Sequence, residues 1–476
     1  MGYQPQSSLS ALSRIHIACL PHLFIKYVIS SCIPNSKPSQ PLCIRGHSTL
    51  MIMSYTIASS ASSNNISFPI EPGRLHPAKM GWVDQPNQRG TIGIIWNCVM
   101  TLAICCWVML HLNVPAKTDG LCCLMFRKAR WLMLALLAPE LVMLFACGQW
   151  ASAKRSVADM QQSHHEGWTM IHAFYADSGG FMLETADFVS FPITAKQVHY
   201  LVQKGYMSIP KITKEEIWDK SKADMFAKAI ASFQAIWLVA QVIARGVQHL
   251  PVTLLELSTV ALIMCTGATL FFWFWKPLNV DTPTTLVLDV AIAEVLLQAR
   301  DKAKSPFRDT PLDFIEPNLY TSSQMPLARC WGVQERPLPR IPNDRDSRLH
   351  NFPIIISLAI PTSAFSLLHL IGWNFEFPTV LEQLLWRWTC ISMGTILGIG
   401  CFLEAASIMY DGYTTSALTN LNRYKLRWPT NVLFFIPGFL YLSARLIVIV
   451  EIIISLRLLP AGCFQVVQWS ELLPHL

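Results

Sequence analysis

Long apolar runs alternate along this chain with polar, proline-punctuated stretches, and one run organises the rest. Residues 252–275 carry a single charge, Glu256. At about 1.5 Å of rise per residue, a helix of that length crosses a hydrocarbon core of about 30 Å. The run before it, 229–244, holds Gln234 and Gln241 and spans only if Lys228 and Arg245 reach the headgroups. The six residues 246–251 turn the chain back, which predicts a helical hairpin. Five further runs have the length and apolarity of spans: 91–112; 131–150, with Pro139-Glu140 at its middle; 352–373, with Pro361 and His369; 389–410, with Glu404; and 432–456, with Arg445 and Glu451. The expectation is therefore an all-α bundle of about seven transmembrane helices.

Between these runs the polar segments carry their own signals. Thr194 with Gln197 and Thr213 with Glu216 read as two capping boxes, so residues 151–228 are expected to form a small helical polar subdomain between spans two and three. Residues 286–297 are too short to span and are interrupted by Asp289 and Glu294, which predicts an interfacial helix. The charged, proline-rich stretch 301–350 reads as a disordered linker, and 1–90, rich in Ser, Pro and Asn, as a mostly disordered extension. The organisation is then 1–90, spans one and two at 91–150, the subdomain at 151–228, the hairpin at 229–275, interfacial helix and linker at 276–350, and spans five to seven with the tail at 351–476.

Composition agrees with that pattern. The chain has 476 residues, 52% hydrophobic and 14% charged, too apolar for an ordinary soluble protein. Its net charge of +7 fits basic loops beside a lipid bilayer and gives no ground for nucleic-acid binding. With seven spans and the amino-terminal side cytoplasmic, the loops on that side hold 25 Lys and Arg against 7 on the other, most of the excess in two long loops. None of the 14 cysteines forms a Cys-x-x-Cys pair, and Cys98, Cys105, Cys106, Cys147, Cys265 and Cys401, which lie inside apolar runs, read as packing residues. For adjacent Cys122 and Cys123, two buried thiols at a helix start is the preferred reading and lipidation beside the membrane the alternative.

Ionisable groups inside apolar runs are costly unless paired or hydrated, so Glu140, Glu256, Glu404, Arg445 and Glu451 are the candidate intramembrane polar site. Arg445 is the expected partner of Glu404. His369 joins them as a histidine deep in an apolar helix. His164, His165 and His172 resemble a metal box in composition but not in spacing, since His165 and His172 are seven apart rather than three or four, so no metal or other cofactor is expected. No nucleophile elbow, phosphate loop or catalytic signature is present, and an enzyme is the less favoured class.

Several stretches carry a resemblance: WNCVMTLAICCWVMLHLNVPA at 96–116, LLAPELVMLFACGQW at 136–150, HAFYADSGGF at 172–181, DKSKAD at 219–224, WKPLNVDTP at 275–283 and ARLIVIVEIIISLRLLP at 444–460. In these the chain from Gly81 onward resembles a group of fungal multi-spanning membrane proteins to which no molecular function is attached. The resemblance implies an integral membrane protein and adds no catalytic residue. Three classes stay open: a transporter, channel or receptor-like protein using the intramembrane charges; a membrane-embedded lipid-modifying enzyme, motivated by the histidines; and a structural or scaffolding membrane protein.

Overall fold

The structure is a computed structural model. It describes residues 79–85, 89–219, 225–278, 280–299, 303, 307, 309–316, 336–344, 352–413 and 427–469, with the backbone alone at 225–227, 352–353, 403–404, 406–413 and 427–435. Residues 1–78, on which most of the expected disordered extension falls, lie outside the described residues.

Helix α1, Thr91–Met109, is followed by α2, Leu121–Leu137, and α3, Pro139–Gln162. A polar subdomain then carries α4 (Met170–Asp177), β2 (Phe181–Thr185), β3 (Phe191–Pro192), α5 (Ala195–Gln203) and α6 (Lys214–Asp219). The hairpin α7, Met225–Val247, and α8, Leu254–Phe272, leads to β4, Thr284–Leu288, and α9, Ile292–Ala299. Three long helices follow, α10 (Phe352–Ile371), α11 (Val380–Tyr413) and α12 (Arg427–Ser455), and two short strands, β1 (Lys79–Met80) and β5 (Leu459–Pro460), pair antiparallel.

Six of these helices, α1, α7, α8, α10, α11 and α12, are long and apolar enough to cross a membrane. Helix α8 is the central one: 61% of its apolar stretch is buried, against 22–39% in the other five. It packs on α1, α3 and α10, and α12 closes the ring through α11 and α8. The outward faces keep large apolar side chains such as Trp96, Phe233, Ile236, Ile360 and Phe439 exposed. A single such residue is ordinary on a water-facing surface, but a belt around six long helices is not.

The structure departs from the sequence reading at several points along the chain. The second expected span is two helices bent by 109° at Ala138 rather than one straight helix. The polar subdomain is not purely helical: β2 pairs antiparallel with β3 and parallel with β4, forming a three-stranded sheet in the order β3-β2-β4. Strand β4 also takes the first three residues of the run expected as an interfacial helix, because Thr284-Thr285-Leu286-Val287-Leu288 is rich in β-branched residues and alternates in exposure. Within the expected linker, 309–316 and 336–344 are packed: Leu312, Leu338 and Ile341 are buried, and Leu338 N donates to Asp309 O at 2.9 Å.

Both capping boxes are made. Thr194 N donates to Gln197 Oε1 at 2.9 Å, and Thr213 N and Glu216 N are capped reciprocally at 3.2 Å. Residues 220–224, expected to carry the second helix into the next span, lie outside the described residues. Tyr175, Phe181, Leu183 and Ile217 belong to the same core cluster as Met109, Ala135 and Met143, so the sheet and the base of the bundle are packed as one.

Candidate functional site

The break between α2 and α3 positions the site. Pro139 has no N–H to continue the helix of α2, so Ala138 leaves helical geometry at φ −144°, ψ 68°, and Pro139 opens α3 at its first position. Glu140 follows in the first turn of α3, where the exposed N–H groups favour a carboxylate. Both outer ends of the pair lie on the face that carries the subdomain. Ahead of α2, Asp119 pairs with Arg340, Asn113 N donates to Asn343 Oδ1 at 2.8 Å, and Val114 N donates to Ser178 O at 2.9 Å. At the far end of α3, Ser163 Oγ meets His199 Nε2 at 2.9 Å, and Trp168 Nε1 donates to Ser156 Oγ at 3.1 Å.

Gln149 of α3 gauges the depth of the turn. Its side-chain oxygen accepts from Trp273 Nε1 at 3.0 Å, one residue beyond the end of α8. Glu140 lies nine residues earlier on the same helix, roughly 14 Å deeper. That is about half of a hydrocarbon core.

At that depth four side chains from three elements converge. Glu140, 5% exposed, lies in the field of Arg445 and beside the Tyr441 hydroxyl. The Tyr441 hydroxyl is the near polar neighbour of the carboxylate, without the geometry of a full hydrogen bond, and Arg445 Nε has no acceptor among the described residues. Arg445 is 3% exposed, with Nη1 3.2 Å from His369 Nε2 and its guanidinium 5.0 Å over the Phe365 ring. His369 Nδ1 donates to Phe365 O at 2.9 Å, one turn back, which leaves Nε2 as the acceptor and the imidazole neutral. Trp386 Nε1 donates to His369 O at 3.3 Å and ties α11 to the cluster. An acid and a guanidinium are thus held near each other in an apolar interior, which equips the site to take a proton, a water or a small polar guest.

The remaining candidates fall elsewhere. Glu256 is buried at the opposite end of the bundle and closes the capping box that Thr253 opens at the start of α8, with Thr253 N donating to Oε2 at 3.0 Å and Arg89 paired to Oε1. Beside it Arg245 donates to Pro251 O, Gly462 O and Gln465 O, so these charges lock the α7–α8 turn to the β5 end of the chain. Glu451 is buried nearer the Glu382–Arg457 pair than the central cluster. The side chain of Glu404 lies outside the described residues, and with it the expected Glu404–Arg445 pair.

His172 has both ring nitrogens engaged, Nδ1 accepting from Thr169 N at 3.2 Å and Nε2 donating to Ile212 O at 2.9 Å. His164 takes a positive φ of 62° at the end of α3. Among the described residues no group of three or more His, Cys, Asp or Glu is placed to hold a metal ion.

Two features were missed in the sequence. Tyr441 stands one turn from Arg445, a spacing that marks a shared helix face and would have suggested it. Lys276, 2% exposed just beyond α8, donates to Asn113 Oδ1 at 2.8 Å and Gln149 Oε1 at 2.9 Å and lies 4.6 Å over the Trp273 ring. Burial first, and then the charge of Arg127, pull its pKa down to about 7, opposed by Asp177. Nearby His111 is also held well below its usual value by burial and by the Lys228 and Lys276 charges.

Comparison with known families gives one match: a model described as a family of unknown function aligns with residues 69–299 and 347–476, more than half of the chain. No curated protein and no solved structure matches significantly.

Proposed function

This chain belongs to DUF8562, a family of unknown function, and on that footing we propose that it is a multi-pass membrane protein that moves protons or a small polar solute through the site around Glu140. Six helices cross the bilayer and the α2–α3 pair is re-entrant, its turn reaching the middle of the membrane from the subdomain face. Broken backbone at that depth is tolerated where it is enclosed by protein or lines a water-filled path. Half-helix ends presented at the midplane are a recurrent way of building ion and solute sites. The observation that carries this reading is Glu140 at the start of α3, a carboxylate buried opposite Arg445 with the Tyr441 hydroxyl beside it.

The same arrangement supports an orientation. The face of residues 79–90, 247–253, 372–379 and 456–469 holds Lys79, Arg89, Arg245, Arg387 and Arg457. The described residues of the other face hold more than twice as many, Lys117, Lys154, Arg155, Lys211, Lys276 and Arg340 among them. The subdomain face is then cytoplasmic, and residues 79–90, expected on the same side as the subdomain, belong to the opposite one. An enzymatic reading is less supported, because His172 stacks on Trp168 while His369 packs against Phe365 and Trp386, and each ring is hydrogen-bonded to a backbone carbonyl.

The test is water access. In reconstituted liposomes, Glu140→Cys should react with a charged, membrane-impermeant methanethiosulfonate, located by mass spectrometry in a Cys122→Ser, Cys123→Ser background. Tyr441→Cys is the second probe should Glu140→Cys fold poorly. If both thiols react with permeant N-ethylmaleimide and neither with the charged reagent, the bundle is dry and the transport reading is wrong.

A further inference from the structure

The start of α2 departs from its sequence reading. Cys122 and Cys123 are exposed, whereas seven of the other eight described cysteines, including Cys98, Cys105 and Cys265, are buried. Their neighbours are exposed and apolar too: Leu121 at 49%, Met125 at 38%, Phe126 at 71% and Met133 at 52%. On a helix, Cys122, Met125, Phe126, Ala129 and Met133 follow one another at three- and four-residue steps, so they form one outward stripe.

The basic residues of α2 fix its depth. Arg127 Nη2 donates to Asn113 O at 2.7 Å, and Lys128 Nζ lies 5.3 Å over the Trp107 ring, so this turn passes the end of α1. Cys122 then sits roughly 7 Å further out, in the headgroup layer, and the stripe runs roughly 16 Å from it toward the bilayer interior. Cys123 Sγ donates to Asp119 Oδ1 at 3.4 Å, and that carboxylate is itself paired with Arg340; Lys117, Lys128 and Arg130 flank the thiols along the chain.

We propose that Cys122 and Cys123 are S-acylation sites, and that the acyl chain covers the stripe from Met125 to Met133. The proposal rests on the membrane reading above, which puts this face on the cytoplasmic side, where long-chain acyl-CoA is available to a membrane acyltransferase. The cysteine sulfur attacks the carbonyl carbon of the acyl-CoA thioester, the carbon–sulfur bond to coenzyme A breaks, and the cysteine proton ends on the released thiol. One thioester replaces another, so no oxidant or reductant is needed. Two thiols at adjacent positions permit dual acylation, which holds a segment at the interface far more firmly than one chain. Anchored in this way, α2 would keep the re-entrant turn seated against α12.

The experiment uses the full chain expressed in a eukaryotic host and acyl–polyethylene-glycol exchange. Wild type should show a hydroxylamine-dependent mass shift, reduced by one step in Cys122→Ser or Cys123→Ser and lost in the double variant. Absence of a shift in wild type, or its survival in the double variant, overturns the proposal. Alkaline carbonate extraction separates the two readings: unacylated protein that stays with the membrane pellet refutes acylation alone, whereas release of wild type into the supernatant refutes the membrane reading itself.

Discussion

Lys276 makes a pH dependence that can be worked from the structure. Its ammonium is buried between two neutral amide oxygens, and burial outweighs the opposing charge of Asp177, so its pKa falls from the ordinary 10.5 to about 7. A neutral amine has two N–H donors, which match Asn113 Oδ1 and Gln149 Oε1, while a third proton points toward nothing better than the Trp273 ring. In the unfolded chain the lysine keeps its ordinary affinity. Between about pH 7 and pH 10.5 the unfolded state therefore binds more protons, so stability rises with pH in that window; below about pH 7 both states are protonated and the contribution is lost.

At about 1.4 kcal/mol per pH unit, reduced near the folded pKa where titration is half complete, the gain from pH 7 to pH 9 is about 2 kcal/mol. Lys276→Met removes the titration while keeping the length of the side chain, and leaves Asn113 Oδ1 without this donor. The assay is thermal unfolding of detergent-solubilised protein followed by tryptophan fluorescence across pH 6 to 9. Wild type should gain on the variant by about 2 kcal/mol over that range, a relative rise of several degrees in midpoint. Parallel curves for the two proteins would refute the reasoning and mean that Lys276 stays charged, held by its acceptors and the indole.

Three further outcomes are expected. Glu256→Gln should destabilise by about 1.5 to 3 kcal/mol, because Arg89 loses a charged hydrogen-bond partner at a buried cap, and adding Arg89→Met should recover part of the loss in the same unfolding assay. At Gly180 an added Cβ would lie 2.6 Å from three atoms of the Tyr175 ring, itself held by Thr284 Oγ1 at 2.9 Å; Gly180→Ala should cost about 1 to 3 kcal/mol by overpacking, read as protease sensitivity of the subdomain. A glycosylation acceptor inserted at 248–249 should be modified in the endoplasmic reticulum and one at 341–342 should not, and the reverse pattern would invert the proposed orientation.

Much of the fold is local and therefore legible in the sequence. Six apolar runs of spanning length became six helices because a continuous apolar segment must satisfy its backbone internally and a helix does so with near neighbours alone. The two threonine-led helix starts were readable because a capping box is closed within four residues. The positions of Glu140, Arg445 and His369 within apolar runs likewise marked them as costly residues in need of partners.

What the sequence did not decide depends on groups far apart in the chain. The run 131–150 reads as one span because its hydropathy is continuous; only the anchoring of both ends to the subdomain, through Asp119–Arg340 and the Ser163–His199 contact, folds it back at Pro139. Strand β4 is a short apolar stretch until Phe181–Thr185, a hundred residues earlier and separated by two long helices, offers a parallel partner. The tertiary structure sets Arg445 on a neutral histidine and a phenylalanine ring with Glu140 nearby, neighbours that charge along the chain did not name, while the side chain of Glu404, its expected partner, lies outside the described residues. Lys276 gave no signal, since a lysine after a span normally reaches water. Burial and partner choice are properties of the packed helices, and hydropathy along one chain does not encode which faces meet.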